Sequence, residues 1–340
     1  MDENPQREVF GRLADGTAVE RVRLKACGVG LSVLSYGGAI QELAVETSSG
    51  PQSVTLGLRT LEDYVQYSPH MGAIAGRYAN RIRDGQFSLD GVSYQLTRNE
   101  KGRNHLHGGK LGFGRRAWAI EELTGDSVRL TLVSQAGDEG YPGRVEATCT
   151  YRISGPLQLS IELTATTDAP TIINLAGHSY FNLSDGGDAR DHRLEILADH
   201  YLPVDEVQIP TGEIRAVAGT AFDFRTERRV RADIPTRYDH TFVSSMAAIA
   251  EPRKMARLTA PDSNLALEVW STEPGVQFYD GGNVSVPVPG RDGQSYGPFS
   301  GLCLEPQRFP DSPNHPGFTN VVLRPGETYR QVTEYRFSTG

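Results

Sequence analysis

Short runs of alternating apolar and polar residues recur along the chain. Alternation with a period of two places apolar side chains on one face of a strand and polar side chains on the other. Dipeptides that favour turns, such as Asp90-Gly91 and Pro325-Gly326, separate the runs. The pattern therefore predicts many short strands, of which the clearest cover residues 22–26, 128–132, 157–163 and 265–269.

Helical patterns are scarce. Residues 60–65 predict one short helix that Thr60 caps, with Asp63 in position to complete a capping box. No succession of strand–helix–strand units and no glycine-rich nucleotide motif is present. Alternating strands without helical spacers predict an all-β sandwich or barrel. We expect one continuous β domain over residues 1–340.

Composition narrows the classes of partner and compartment. The net charge is −8 and no lysine- or arginine-rich run occurs, which argues against a nucleic-acid partner. No run of 18 apolar residues predicts a membrane span, and the polar start lacks a signal-peptide pattern, so we expect a cytoplasmic protein without a membrane partner. Three cysteines without a CxxC motif are expected to be reduced thiols.

Two residues stand out as a possible acid–base pair. Glu305 follows the mostly apolar run 301–304, and burial there would raise the pKa of its carboxyl towards the range of a general base. The alternative is a solvated glutamate at a strand end. His178 lies between apolar and aromatic residues. It fits either a buried structural histidine or a proton donor, since histidine titrates near neutrality.

His105 and His107 form an HxH pattern, which on a strand could bind a metal. The following Gly108-Gly109 breaks the strand, so we expect no metal and one imidazole in a pocket.

Other polar side chains suit hydroxyl groups or, equally, surface salt bridges. Arg77, Asn80 and Arg81 present several hydrogen-bond donors, and Asp239 could accept from sugar hydroxyls. The chain shows no phosphate-binding loop and no Ser–His–Asp order. The joint inventory indicates an uncharged polyhydroxylated ligand.

The sequence resembles the aldose 1-epimerase (galactose mutarotase) family. Seven motifs occur in the family's order and extend across about residues 30–335. They are GRYANRI (76–82), NHLHGG (104–109), DEGYPG (138–143), GHSYFNL (177–183), YDHTF (238–242), GVQFY (275–279) and LEPQ (304–307).

The resemblance implies a large antiparallel β-sandwich, called a supersandwich, with the site in a cleft on one face. It also implies that His178 is the general acid and Glu305 the general base. The sugar contacts that it implies come from Asn80, Arg81, His107, Tyr180, Asp239 and Gln277, with Arg77 as a further candidate. Gly177 stands where the family commonly has Thr, Ser or Asn, and we expect the chemistry to tolerate it.

Anomer exchange requires a proton removed from the C1 hydroxyl and a proton delivered to the ring oxygen. Neither redox chemistry nor group transfer occurs, so we expect no cofactor. The expected partner is a small aldose, bound by a monomer or homodimer. Because Glu305 must be ionised while His178 is protonated, we expect the carboxylate to raise the pKa of His178.

Two alternatives stay open. A glycoside hydrolase needs two carboxyl groups beside the bond, which Asp239 and Glu305 could supply. A noncatalytic sugar-binding or regulatory module would use the same fold without turnover. The sugar also stays open, because galactose, glucose, xylose and arabinose differ at C4 and C5.

Overall fold

The computed structural model describes residues 4–231 and 236–339. Antiparallel strands dominate these residues. The strands up to residue 134 are β1 (Gln6–Arg12), β2 (Ala18–Ala26), β3 (Val29–Leu34), β4 (Ile40–Thr47), β5 (Gly50–Ser53), β6 (Ile74–Ala75), β7 (Arg81–Ile82), β8 (Gln86–Leu89), β9 (Val92–Gln95), β10 (His105–Leu106), β11 (Ala119–Leu123) and β12 (Ser127–Ser134).

The later strands include those that carry the candidate site. They are β13 (Val145–Gly155), β14 (Gln158–Thr167), β15 (Thr171–Ile172), β16 (Ala176–Gly177), β17 (Tyr180–Phe181), β18 (Arg193–Ile196), β19 (His200–Tyr201), β20 (Arg215–Ala216), β21 (Arg228–Arg229), β22 (Asp239–Val243), β23 (Arg253–Thr259), β24 (Ala266–Ser271), β25 (Gly275–Tyr279), β26 (Leu302–Gln307), β27 (Val322–Leu323) and β28 (Tyr329–Ser338).

One α-helix, α1 (Leu61–Tyr67), lies within the described residues. The backbone N–H of Asp63 donates to Thr60 Oγ1 at 3.1 Å, and the backbone N–H of Thr60 donates to Asp63 Oδ2 at 3.2 Å. The predicted capping box is therefore confirmed, and the helix extends two residues beyond the predicted segment. Within the described ranges, no helix is both long and apolar enough to cross a membrane.

Three antiparallel sheets make up most of the fold. Nine strands form one sheet in the order β11-β12-β13-β14-β28-β24-β23-β18-β21, five form the meander β1 to β5, and six form the sheet β17-β26-β25-β22-β19-β20. Inward-facing apolar residues of all three sheets join one large core, for example Leu31, Leu163 and Leu304. The predicted all-β antiparallel sandwich is confirmed.

The six-stranded sheet positions the candidate chemistry. On β26, Leu302 and Leu304 join the large core, so Cys303 and Glu305 point to the opposite face. On the neighbouring β25, Gln277 lies directly across from Glu305. The same alternation that builds the core therefore places polar side chains together on the other face.

Arg77 holds the segment after β6 against the connection between β12 and β13. Its side chain is 1% exposed, and its guanidinium donates to the carbonyls of Pro142 and Gly143, each at 2.8 Å. It also donates to Ser134 Oγ at 2.6 Å and the carbonyl of Gln135 at 3.0 Å. Both terminal nitrogens of the guanidinium are thus engaged by protein acceptors, which gives Arg77 a structural role.

We expect Arg77→Lys to lower the free energy of unfolding by about 3 kcal/mol, because an ammonium cannot reach all these buried acceptors and each unpaired one costs about 1–3 kcal/mol. Urea unfolding measures the change. Arg116→Lys is the matched control, since Arg116 pairs with Asp138 near the same turn but is partly exposed. A stable Arg77→Lys variant with a raised KM would instead indicate that Arg77 contacts the sugar.

Candidate active site

His178 and Glu305 meet at the edge of the six-stranded sheet. The distance between His178 Nε2 and Glu305 Oε1 is 3.8 Å, and the residues are 5% and 2% exposed. His178 lies between β16 and β17, and its ring stacks on Tyr180 with the centroids 5.1 Å apart. Glu305 lies inside β26 rather than at a solvated strand end. Its Oε2 atom is buried without a hydrogen-bond partner, as a group that awaits a ligand would be.

Burial controls the protonation of both groups. It lowers the pKa of His178 to about 4, against smaller opposing effects that include the charge of Asp239. Burial also raises the pKa of Glu305 well above its ordinary value; Asp239 raises this pKa further, and Arg81 opposes the rise. The sequence-based expectation of a raised His178 pKa is therefore wrong. The cost of burying the imidazolium outweighs the attraction of nearby carboxylates.

These opposite shifts both favour the uncharged forms, a neutral imidazole and a protonated carboxyl, which together hold one proton. A doubly protonated pair would need a charged imidazole in a buried position, and an unprotonated pair would need a buried carboxylate. The pair therefore favours the state in which it holds one proton, and this proton can lie on either partner.

Gln277 and Asp239 extend the polar face along the sheet. The amide Nε2 of Gln277 donates to Asp239 Oδ1 at 2.7 Å, and the hydroxyl of Thr241 donates to Gln277 Oε1 at 2.5 Å. These bonds fix which end of the amide is the donor. Gln277 therefore connects Glu305, its partner across the ladder, to Asp239 on β22.

Arg81 brings positive charge to this face. Its guanidinium contacts Glu100 at 2.9 Å and Asp239 Oδ2 at 3.3 Å. Burial disfavours the charge of Arg81, but the two carboxylates raise its pKa above the ordinary value. Asn80 supports Arg81 because its Oδ1 accepts from the Arg81 backbone N–H at 2.9 Å.

His107 approaches the pair from another loop. Its Nδ1 accepts the backbone N–H of Asn80 at 3.2 Å, and its ring lies 5.1 Å from the His178 ring. Burial lowers the pKa of His107 well below its ordinary value, so the ring is neutral and carries its hydrogen on Nε2. The next residue, Gly108, has a φ of +84°, and a Cβ atom there would lie 1.7 Å from the carbonyl oxygen of Gly76. Only glycine lets this loop come so close.

His70 is a third imidazole that the sequence analysis missed. Its ring lies 4.7 Å from His107 and 6.1 Å from His178, and its buried Nδ1 has no hydrogen-bond partner. The residue before it, Pro69, accepts the hydroxyl of Tyr180 at 3.1 Å. Tyr180 therefore offers the site its ring and fixes the loop through its hydroxyl. A histidine beside the apolar run 71–75 was the available signal.

His105 does not join the site. Its Nδ1 lies 2.7 Å from the carbonyl oxygen of Thr97, and its Nε2 lies 2.6 Å from the hydroxyl of Tyr141. The strand β10 ends at Leu106, and His107 has a φ of 50°, so the two histidines of the HxH pattern do not share a strand face.

A cleft of about 430 Å³ borders this region. Arg81, Asp239 and Tyr279 line its wall, together with Asn104. His178 and Glu305 are not part of that wall; Glu305 lies two strands from Asp239 along the sheet. The arrangement is a polar cleft with hydrogen-bonding side chains, close to a buried imidazole and a buried carboxyl.

A model of the aldose 1-epimerase family matches residues 20–336. The chain belongs to the aldose 1-epimerase family. It is 40% identical over 338 residues to a galactose mutarotase of Rattus norvegicus, with 98% of each chain covered. It is 38% identical over 323 residues to an aldose 1-epimerase of Escherichia coli K12, covering 91% of this chain and 92% of the relative. Its function is the interconversion of the anomers of an aldose.

Solved structures of the family share the fold. A GalM/aldose epimerase homologue from C. elegans has a TM-score of 0.87 and 30% identity, covering 94% of this chain and 98% of the other. A galactose 1-epimerase from Lactobacillus acidophilus has a TM-score of 0.83 and 28% identity, with 99% of each chain covered. The galactose mutarotase-like fold is therefore confirmed.

We expect kcat/KM for anomer exchange to fall at both low and high pH. The lowered pKa of His178 puts the acid limb below pH 6.5, and the raised pKa of Glu305 puts the alkaline limb well above pH 4.5. Asp239→Asn removes a charge that raises the pKa of Glu305, so it moves the alkaline limb to lower pH. Polarimetry across a pH series measures both limbs.

Glu100→Gln is the control for that shift, because Glu100 also pairs with Arg81 but does not act on the pKa of Glu305. An alkaline limb that stays in place in Asp239→Asn would show that Glu305 does not govern it.

Proposed function

We propose that His178 and Glu305 are the acid–base pair that exchanges the anomers of galactose or a closely related aldose. The observation that carries the proposal is the buried contact of 3.8 Å between the two groups, with one carboxylate oxygen left unpaired. Relatives named galactose mutarotase, 40% identical over nearly the whole chain, support galactose as the first sugar to test.

Each group has one task in ring opening. Glu305 accepts the proton of the C1 hydroxyl while His178 donates a proton to the ring oxygen, and the C1–O5 bond breaks to give a free aldehyde. The C1–C2 bond then rotates by half a turn. His178 takes back its proton as the ring oxygen attacks the other carbonyl face, and Glu305 returns its proton to the new C1 hydroxyl. No proton is gained or lost overall.

The pKa shifts favour one half of this cycle. Ring opening leaves a neutral His178 and a protonated Glu305, and burial stabilises these forms. The site thereby lowers the free energy of the state that holds the open-chain sugar. The starting state needs a carboxylate at Glu305 and an imidazolium at His178. The positive charge of Arg81 and a hydrogen bond donated by the sugar hydroxyl favour the carboxylate, and the charge of Asp239 favours the imidazolium.

The remaining polar groups bind and orient the sugar. The Nε2–H of His107 and the guanidinium of Arg81 donate to hydroxyl oxygens, and Asp239 accepts from hydroxyl hydrogens. Gln277 holds Asp239 in place, and Asn80 holds both His107 and Arg81. Tyr180 supports the ring of His178. Their hydrogen bonds to one another leave few orientations free, which preserves the geometry that proton transfer needs.

We expect Glu305→Gln and His178→Asn each to lower kcat by about 10²–10⁴, because each removes one positioned proton-transfer group. The measurement is the rate of optical rotation change of freshly dissolved α-galactose. His200→Gln, at an exposed strand position, is the control and keeps the wild-type rate. Full activity in Glu305→Gln would remove its proposed role.

Measurements on several aldoses test whether the protein exchanges anomers at all. A wild-type protein that fails to accelerate the rotation change of galactose, glucose, xylose and arabinose would contradict anomer exchange. Release of reducing sugar from a glycoside would favour the hydrolase alternative, and sugar binding without turnover would favour the noncatalytic one.

We also propose that the enzyme works in the cytoplasm, as a monomer or homodimer, without a nucleic-acid or membrane partner. The net charge of −8 supports the absence of a nucleic-acid partner. Sedimentation equilibrium measures the oligomeric state.

A further inference from the structure

Cys303 contacts the acid–base pair but has no part in the proposed proton transfers. Its Sγ atom lies 3.6 Å from His178 Nδ1, in a fully buried position. One ligating atom each from His178, Cys303 and Glu305 lie within 4.8 Å of one another. Nitrogen, sulfur and oxygen donors thus converge on one point of the sheet.

The fold brings these three together for a simple reason. Cys303 and Glu305 are separated by one residue on β26 and so point to the same face. Tyr180 pairs with Cys303 across the ladder, which places His178, two residues earlier in the chain, beside the same face. The unpaired Oε2 of Glu305 is an independent sign that this point takes a ligand.

We propose that His178, Cys303 and Glu305 form an inhibitory binding site for Zn²⁺. Zinc is bound by imidazole, thiolate and carboxylate, and three protein ligands leave a fourth position for water. Zinc bond lengths of about 2.0–2.3 Å put neighbouring ligand atoms of a tetrahedral site about 3.3–3.7 Å apart. The contacts of 3.6 and 3.8 Å are already close to this spacing.

Modest movement completes the site. The imidazole presents Nδ1 to Cys303 and Nε2 to Glu305, whereas a metal uses one nitrogen. A turn of the His178 ring and a shift of the Glu305 carboxylate close the remaining distance. Thiolate and carboxylate together balance the charge of Zn²⁺, and the thiol and carboxyl protons go to solvent.

The consequence of binding is inhibition. A bound zinc occupies the nitrogen lone pair of His178 and the carboxylate of Glu305, so neither group transfers protons to the sugar. The donor set also sets selectivity: hard cations such as Mg²⁺ favour several oxygen ligands and gain little from a thiolate. The site therefore predicts inhibition by Zn²⁺ but not by Mg²⁺.

The first experiment is a Zn²⁺ titration of the initial rate of galactose mutarotation, with each variant normalised to its own zinc-free rate. We expect wild type to be inhibited and to recover with EDTA. In Cys303→Ser the half-inhibiting Zn²⁺ concentration rises at least tenfold, as loss of a metal-site group costs about 10–100-fold in affinity. Cys27→Ser removes an exposed thiol and behaves as wild type. Unchanged zinc sensitivity in Cys303→Ser overturns the proposal.

A second experiment does not depend on turnover. Inhibition as a readout rests on the proposed function, whereas Co²⁺ added to the protein reports a thiolate ligand through charge-transfer absorption in the near ultraviolet. We expect this absorption in wild type and Cys27→Ser, and its loss in Cys303→Ser and Cys303→Ala. Its absence from wild type, or its persistence in both Cys303 variants, overturns the site even if the enzyme exchanges anomers as proposed.

Discussion

A carboxyl group buried in the middle of a strand is the constraint on which the rest of this site depends. Glu305 has apolar neighbours on β26 whose side chains enter the large core, and its own side chain is directed to the opposite face. Burial of a carboxylate costs several kcal/mol unless it is paired. A raised pKa, which favours the neutral carboxyl, and an imidazole 3.8 Å away reduce that cost, and in the proposed mechanism the same two groups move a proton.

The network is ordered from the cleft inwards. Arg81 and Asp239 carry opposite charges at the cleft wall, and Gln277 on β25 donates to Asp239 on β22, while His178 and Glu305 are almost fully buried and are not part of the wall. The two charged groups thus keep some contact with solvent and offset each other's charge, and the two titrating groups lie where burial shifts their pKa values most. In the proposed mechanism, this separation lets the pair exchange protons with the sugar without holding net charge.

Much of this arrangement could be predicted from the sequence, and the limits have physical causes. Alternation predicted the strands, and the capping residues predicted α1, because both depend on local spacing. The motifs identified the candidate residues. The direction of the His178 pKa was predicted wrongly, since it depends on how completely the ring is enclosed by residues distant in the chain. Arg77 likewise presents donors whose targets, the turns at 134–143, only the folded chain reveals.

Gly108 carries a consequence for how the site tolerates change. Its missing side chain lets the loop that bears His107 touch the backbone at Gly76, with no room for a single methyl group. Any side chain at this position displaces the backbone that orients His107. A strict requirement for one amino acid thus falls on a residue that contributes no functional group.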